Sequence, residues 1–323
     1  MRLDERAVRM MRLLEYLNEQ ERPVPVSDLG ELATREFGVS EVTLRSDLAA
    51  LCSLRSVRKL GRGTYKAGPA EDRDAPGASL PGSSLFSTRL RLRAESKIAI
   101  AGAVVRHLVR QPDLRVLLLD AGSTTYFVAD RLSEVAGLDL IVWTPSVAAA
   151  SRLAGSRGVS VRLLGGEYHP DYAVVSGDET ARALRALAGP EGDAAGLDAP
   201  LPQFAGTHCV LDLNYVSEDG RLYTDESKER LQKRLMADLS EELTLVADHS
   251  KLFGRRLGLQ AHEINALAQF SGKRAVRLVT DCGASAAQME AARHLMERAF
   301  PGWETTLEED REALVFTSKN PDA

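Results

Sequence analysis

The sequence predicts an α/β protein in two parts: a short helical segment with a basic tail, then a larger and mostly parallel sheet covered by helices. Three observations carry this. Two amphipathic segments, SDLGELATREF and EVTLRSDLAAL, lie four residues apart and precede a stretch, CSLRSVRKLGRGTYK, with basic residues and no acids. Residues 67–84, AGPAEDRDAPGASLPGSS, are rich in Pro, Gly, Ala and Asp, have no hydrophobic periodicity and read as a linker. From Leu85 onward, helical patterns alternate with short runs that are apolar throughout, as in strands buried on both faces. The division expected is 1–66, a linker at 67–84, and 85–323.

In the first part, Met1 to Glu19 reads as a supporting helix with Val8, Met11, Leu14 and Leu17 on one side. Leu29, Leu32, Ala33 and Phe37 recur at helical spacing behind Ser27, a good N-cap residue, so a helix is expected over 28–37, ended by Gly38. Ser40 is the next N-cap. Val42, Leu44, Leu48, Ala49 and Leu51 would face inward on a second helix from Glu41 to about Leu51, leaving Glu41, Thr43, Arg45 and Ser46 outward. Arg55, Arg58, Lys59, Arg62 and Lys66 then place five positive charges in twelve residues, with Gly61 and Gly63 turning the chain between two short strands.

A helix pair followed by a basic hairpin is what a winged helix-turn-helix presents to duplex DNA. Ser40, Glu41, Thr43, Arg45 and Ser46 are the candidate groups for base edges and phosphates, and Arg58, Lys59 and Arg62 for the backbone, where counterion release dominates affinity. A small helical domain with a solvated charge run would share some of these features. The hydroxyl-capped pair joined to an acid-free basic hairpin favours DNA.

Composition fits this division. The 323 residues are 44% hydrophobic, ample for a packed core, and the net charge is −5. Residues 1–68 hold twelve basic and ten acidic groups, a net of +2, so the remainder carries −7. Cys52, Cys209 and Cys282 show no CxxC spacing, so neither a disulfide framework nor a zinc cluster is expected. His169 and His208 lie nearest the pocket loops without metal-ligand spacing, and no metal or cofactor is expected. The charged amino terminus does not read as a signal peptide and no apolar run has spanning length, so a cytoplasmic protein is expected.

In the second part, helices are expected over 96–109, 124–132, 146–153, 180–187 and 226–239, and strands over 116–119, 140–143, 159–164, 208–213, 243–247 and 276–280. Ligand chemistry belongs at the carboxyl ends of such strands. There, Asp120-Ala121-Gly122-Ser123-Thr124-Thr125 combines a close-approach glycine, three hydroxyls and the free N–H groups of a helix start, a plausible phosphate cradle. Gly165-Gly166, Ser176-Gly177 and Asp248-His249-Ser250-Lys251 also follow apolar runs, and Lys251 suits an anion. Glu229 and Lys233 read as an ordinary i,i+4 surface pair. Arg89, Arg91, Arg93 and Lys97 form a second basic cluster of open role, and the tail from Phe300, acidic around Glu308 to Asp310, has no assigned one.

The run Val39-Ser40-x-x-Thr43-Leu44-Arg45-x-Asp47-Leu48, with Val26-x-x-Leu29 before it and the basic segment after, resembles the amino-terminal domain of the DeoR family of bacterial repressors. Arg89, Lys97-x-x-Ile100-Ala101, the Asp120 loop, Gly165-Gly166, Ser176-Gly177, Glu229 with Lys233, the Asp248 loop and Leu278-Val279-Thr280-Asp281 extend the resemblance over nearly the whole chain. It implies a sensor domain of the ribose-5-phosphate isomerase and CoA-transferase type. It also implies a phosphorylated sugar or related effector held by Asp120, Gly122, Ser123, Thr124, Thr125, Gly165, Gly166 and Lys251. Three places depart from the family pattern. Lys59-Leu60-Gly61-Arg62-Gly63 stands where an HGG-like signature often follows the wing. Thr144-Pro145 stands where Thr-Asn is usual, and Glu167-Tyr168-His169 follows Gly166 where a basic residue is frequent.

The expected function is therefore a homo-oligomeric, effector-controlled repressor of double-stranded DNA, with no catalytic residues. The alternatives are a sugar-phosphate isomerase or deaminase using Asp120 or Glu167 as base, and a regulator whose effector pocket has degenerated.

Overall fold

The computed structural model describes residues 9–10, 12–14, 16–17, 20, 22–53, 57–67, 84–189, 204–253 and 262–322. They form two compact units: the first holds the described residues through Ala94 together with Pro170–Tyr172, and the second holds the rest. Val8, Met11, Arg55 and residues 68–83 of the expected linker lie outside the described residues, as do Ala323 and the side chain of Arg62.

In the first unit, strand β1 (Val24–Pro25) leads directly into helix α1 (Val26–Phe37). The helix starts earlier than Ser27 would have it, because Pro25, at φ −63° and ψ 148°, already occupies the N-cap, and Ser27 bonds instead to the Asp28 carboxylate at 2.9 Å. Gly38, at φ +63°, ends the helix as expected, its N–H donating to Thr34 O. Helix α2 (Glu41–Ser53) follows, and Ser40 Oγ accepts from Thr43 N at 3.4 Å. Strands β2 (Val57–Leu60) and β3 (Thr64–Ala67) form the hairpin across a single 3-10 turn, and β1 adds to the outer side of β3. Leu13, Leu14, Leu17, Leu29, Leu32, Leu44, Leu48, Leu51, Val57 and Tyr65 make the core, joined by Leu85 of α3 (Ser84–Arg91).

Two residues assigned to the inward stripe of α2 are on the outside: Ala49 is exposed and Val42 is 78% exposed. The buried row is Leu44, Leu48 and Leu51, and Val42 lies two residues, about 200° of helical turn, from Leu44. The position opposite Val42 is taken by Asp47. Fully buried, its Oδ2 accepts from Arg9 Nε at 2.5 Å, with Arg9 itself 1% exposed.

The second unit is built on an eight-stranded sheet. Its strands, in chain order, are β4 (Val116–Leu119), β5 (Leu140–Thr144), β6 (Val159–Leu163), β9 (Phe204–Asp212), β12 (Ser240–Val246), β14 (Ala275–Asp281), β15 (Glu304–Asp310) and β16 (Ala313–Lys319). Their spatial order is β15-β16-β14-β12-β9-β4-β5-β6, parallel from β14 to β6 and antiparallel at β15 and β16. The acidic tail thus has a structural place: Glu308, Glu309 and Asp310 lie in edge strand β15, and Asp310 takes Arg106 Nε at 2.9 Å. The short strands β7 (Glu167–His169) and β8 (Val174–Ser176) pair with each other, and β10 (Tyr215–Val216), β11 (Arg221–Thr224) and β13 (His262–Ala266) form a small antiparallel sheet.

Helices α4 (Ala94–Leu108), α5 (Ser123–Leu132), α6 (Val147–Leu153), α7 (Asp178–Leu187), α8 (Ser227–Leu239) and α9 (Ala286–Ala299) complete the unit. One sheet face, through Leu118, Cys209, Leu211, Leu245 and Leu278, shares a core with Leu184, Leu235, Met236, Leu295 and Met296. Successive strands run outward from β4 to β5 and β6, while β9, β12 and β14 run the other way. The order therefore reverses between β4 and β9, and a crevice opens at such a switch beyond the strand ends.

Candidate functional site

Both strands flanking the switch end in aspartate. Asp120 follows β4 and Asp212 closes β9, each after an apolar run, VLLL and CVL. Asp120 is completely buried. Its Oδ2 accepts from Asp212 N at 3.0 Å and from Lys233 Nζ, which reaches in from α8 and also donates to Asp212 O at 3.0 Å. Lys233 is 1% exposed, so the expected surface pair with Glu229, 3.6 Å away, is instead the outer part of a buried cluster. Spacing alone shows that residues four apart share a helix face, and not that the face lies against another strand's end.

Asp212 carries the other half. Lys251 Nζ donates to its Oδ1 at 2.8 Å, and the Thr124 N–H, in the first turn of α5, donates to Oδ2 at 3.2 Å. A carboxylate therefore sits at the helix start where the sequence suggests a phosphate. Gly122, at φ +158°, is required there, since a Cβ would overlap the Asp212 carboxylate. Thr125 Oγ1 donates to Gly122 O at 3.1 Å, and Ser123, Thr124 and Thr125 are all buried. Two buried oxygens in the cluster, Asp120 Oδ1 and Thr124 Oγ1, have no hydrogen-bond partner among the described residues.

The electrostatics follow from burial and the two lysines. Loss of solvent pushes the Asp120 carboxyl up to about 6, against the pull of Lys233. Burial opposes the charge on Lys233, but Asp120 and Glu229 outweigh it and hold the ammonium protonated. Burial also opposes ionisation of Asp212, yet Lys251, Lys233 and the Thr124 N–H bring it below the ordinary carboxylate range. The cluster thus offers carboxylates that accept hydrogen bonds from hydroxyls, beside ammonium and helix N–H donors suited to an anion. A polyol phosphate has both kinds of group.

The other residues expected at this site have different surroundings. Gly165 O accepts from Thr180 Oγ1 at 2.5 Å, and a Cβ at Gly166, φ +140°, would strike Thr180 and Ser176, so the pair allows the start of α7 to pack closely. Thr144-Pro145 makes a closed turn: Thr144 Oγ1 accepts from Ser146 N at 3.1 Å, Pro145 O accepts from Val175 N at 2.9 Å, and Ser146 caps α6. Glu167 is exposed and takes Lys228 Nζ at 3.0 Å, which lowers its carboxyl below the ordinary range.

His208, His107 and Glu242 come together at the opposite, amino-terminal end of the strands, with ligand atoms within 4.8 Å of one another, a proximity their sequence spacing does not reveal. The Gln111 side chain fills the middle of this group, 2.7 Å from His107 Nε2, 2.8 Å from Glu242 and 3.2 Å from His208 Nδ1. Arg277 and Arg274 neutralise Glu242 at 2.6 and 2.5 Å. The donors are therefore committed to a closed hydrogen-bond network, and added cationic charge would be opposed by both arginines.

In the first unit, Glu41, Arg45 and Ser46 lie exposed on α2 and Thr43 is half-buried. Arg45 Nε and Nη2 both donate to Glu41 Oε1, at 2.9 and 2.6 Å. Ser40 is engaged as the cap and lies 3.2 Å from Thr43 Oγ1. Arg58 and Lys59 are exposed on β2, and Arg62 belongs to the turn beyond it.

The first unit is thus a helix pair followed by a hairpin, and the second carries two aspartate–lysine pairs at the switch of its parallel sheet. Residues 92–189 match the model of the DeoR C terminal sensor domain. The chain is 27% identical to the glycerol-3-phosphate regulon repressor of Escherichia coli (strain K12) over 237 residues, 71% of this chain and 79% of that protein. The repressor of the same name from Haemophilus influenzae (strain ATCC 51907 / DSM 11121 / KW20 / Rd) is 25% identical over 230 residues, 70% of this chain and 77% of its own length. Among solved structures, ribose 5 phosphate isomerase A from Neisseria gonorrhoeae is 14% identical, with 69% of this chain and 74% of that chain covered at a TM-score of 0.30.

Proposed function

We propose that this protein is a transcriptional repressor whose first unit grips operator DNA and whose second unit binds a small phosphorylated polyol or sugar that alters that grip. The observation that carries the reading is the Asp120–Lys233 and Asp212–Lys251 cluster at the sheet switch of a DeoR-type sensor. Its pairing of carboxylate acceptors with ammonium and helix N–H donors suits hydroxyls next to a phosphate. The relatives named as repressors of a glycerol-3-phosphate regulon support a three-carbon phosphate as the first ligand to try.

The effector acts only through unequal affinity for the DNA-competent and incompetent states. Two copies acting on paired half-sites match the small recognition surface of one helix-turn-helix. A binding role rather than catalysis is supported by the state of both carboxylates, which lysines and backbone N–H groups already engage. Among the described residues no helix is long and apolar enough to cross a membrane, and the reading places the protein with DNA in the cytoplasm.

The test is a mobility-shift titration of the full chain on the DNA upstream of its own gene against random duplex, with and without glycerol 3-phosphate and ribose 5-phosphate. Preferential retention that one of these phosphates changes, while its dephosphorylated counterpart does not, is the expected result. Equal retention of both duplexes overturns the reading.

A further inference from the structure

Val42 is the most exposed large apolar residue described, at 78%, whereas the others that are exposed lie between 36% and 47%. Among the described residues it belongs to no buried core, and it shares the outer surface of α2 with Glu41, Arg45, Ser46 and Ala49, all exposed. A β-branched side chain there lowers helix propensity and leaves apolar area in water, so folding of the unit gains nothing from it. The residues around it are polar or small, and the hairpin of the same unit carries exposed Arg58 and Lys59. A surface with this charge faces an anionic partner, and the apolar feature that a DNA major groove displays to a helix is the C5 methyl of thymine.

We propose that Val42 is a specificity-determining residue that packs its isopropyl group on a thymine methyl in each half-site. The inference rests on the DNA-binding reading above and adds the base it prefers. Glu41 engages Nε and Nη2 of Arg45 through one oxygen, and Val42 stays 78% exposed next to that pair. Thymine preference at that step then comes from apolar contact rather than from a hydrogen bond.

The experiment starts with the full chain and a random-sequence duplex library at moderate salt. Thymines in the enriched site are next replaced one at a time by deoxyuridine, which removes the methyl and leaves every hydrogen-bonding group. Wild type is expected to lose about fourfold in affinity at one thymine per half-site, the value of burying one carbon. Val42→Ser should bind thymine and uracil equally at that step, while Val42→Ile keeps the discrimination. Because Val42 is 78% exposed, both variants should melt close to the wild type. A wild-type protein indifferent to every replacement, or a Val42→Ser variant that still discriminates, overturns the inference while leaving DNA binding intact. A library that enriches no sequence removes both, through the DNA-binding reading.

Discussion

Lys233 and Asp120 form an ion pair in which neither side chain exposes more than 1% of its surface, although 113 residues separate them in the chain. The lysine also donates to the backbone oxygen of Asp212, so one ammonium ties the ends of the two strands between which the sheet order reverses. Burial of this kind is costly for each ion alone, and the pair is stable only because each neutralises the other.

Replacing Lys233 with methionine should therefore destabilise the protein by about 3–5 kcal/mol, since a buried carboxylate is left without its cation. The double variant Lys233→Met, Asp120→Leu should recover a large part of that loss. Urea unfolding of the full chain measures both. A single variant as stable as the wild type would show that the pair does not hold the strand ends together.

Lys251 is a different case, because its side chain is 19% exposed and it neutralises Asp212 from the solvent side. Under the proposed function it is free to exchange the carboxylate for a phosphate. Saturating effector at a hundred times its dissociation constant should stabilise the wild type by about 2.7 kcal/mol. In thermal melts, Lys251→Ala should lose most of that ligand-induced shift at the same concentration while keeping a cooperative transition. An undiminished shift would remove Lys251 from the site.

The parallel sheet was legible because its strands are apolar throughout, and the Asp120 loop because Gly, Ser and Thr gather at a strand end. Asp212 was not, although CVLD repeats the pattern of VLLLD. Nothing local says that β9 lies beside β4, and only that neighbour relation makes the second aspartate part of the site. Spacing by itself makes Lys233 a surface group for the same reason, and only the resemblance set it beside the strand-end loops. The tail strands β15 and β16 escaped because charged residues interrupt the first of them, as edge strands tolerate. On α2, helical phase was legible but its origin was not: reading Val42 inward presumes that the apolar residue faces the core, whereas the buried Asp47–Arg9 pair sets the rotation. In the hairpin the basic residues were plain from the sequence, since exposed charge needs no tertiary partner.

Arg58 and Lys59 supply the next prediction. Both are exposed on β2, and as phosphate contacts each should reduce the slope of log affinity against log salt by about 1 when changed to alanine. The loss should be nearly uniform across DNA sequences. Arg45→Ala should instead cost about 1–3 kcal/mol on the preferred site and relax the preference at one base step. Binding isotherms at several salt concentrations separate the two behaviours, and a salt slope unchanged in Arg58→Ala, Lys59→Ala would place the hairpin off the backbone.

Asp281 gives a prediction in pH. It closes β14 and accepts from His249 N at 2.8 Å, His249 Nδ1 at 2.7 Å, Ser96 Oγ at 3.0 Å and Gly283 N at 3.2 Å. Burial alone would raise its carboxyl, but the His249 and Ser96 donors outweigh that and bring it down to about 2. The folded value lies below the unfolded one, near 3.9, so the folded state binds fewer protons in between. The stabilisation is present in full above about pH 4 and is lost as the pH falls toward 2. At roughly 1.4 kcal/mol per unit, the shift corresponds to at most about 2.6 kcal/mol, less what solvent screening removes. Asp281→Asn should therefore be less stable than the wild type by up to that amount at pH 6, and the gap should close progressively below pH 4. Other carboxylates titrate in the same range, so the informative quantity is the difference between the two proteins in urea unfolding at each pH. A gap that stays constant down to pH 2 would mean that the aspartate contributes by shape and hydrogen bonding alone and that its charge is not favoured by the fold.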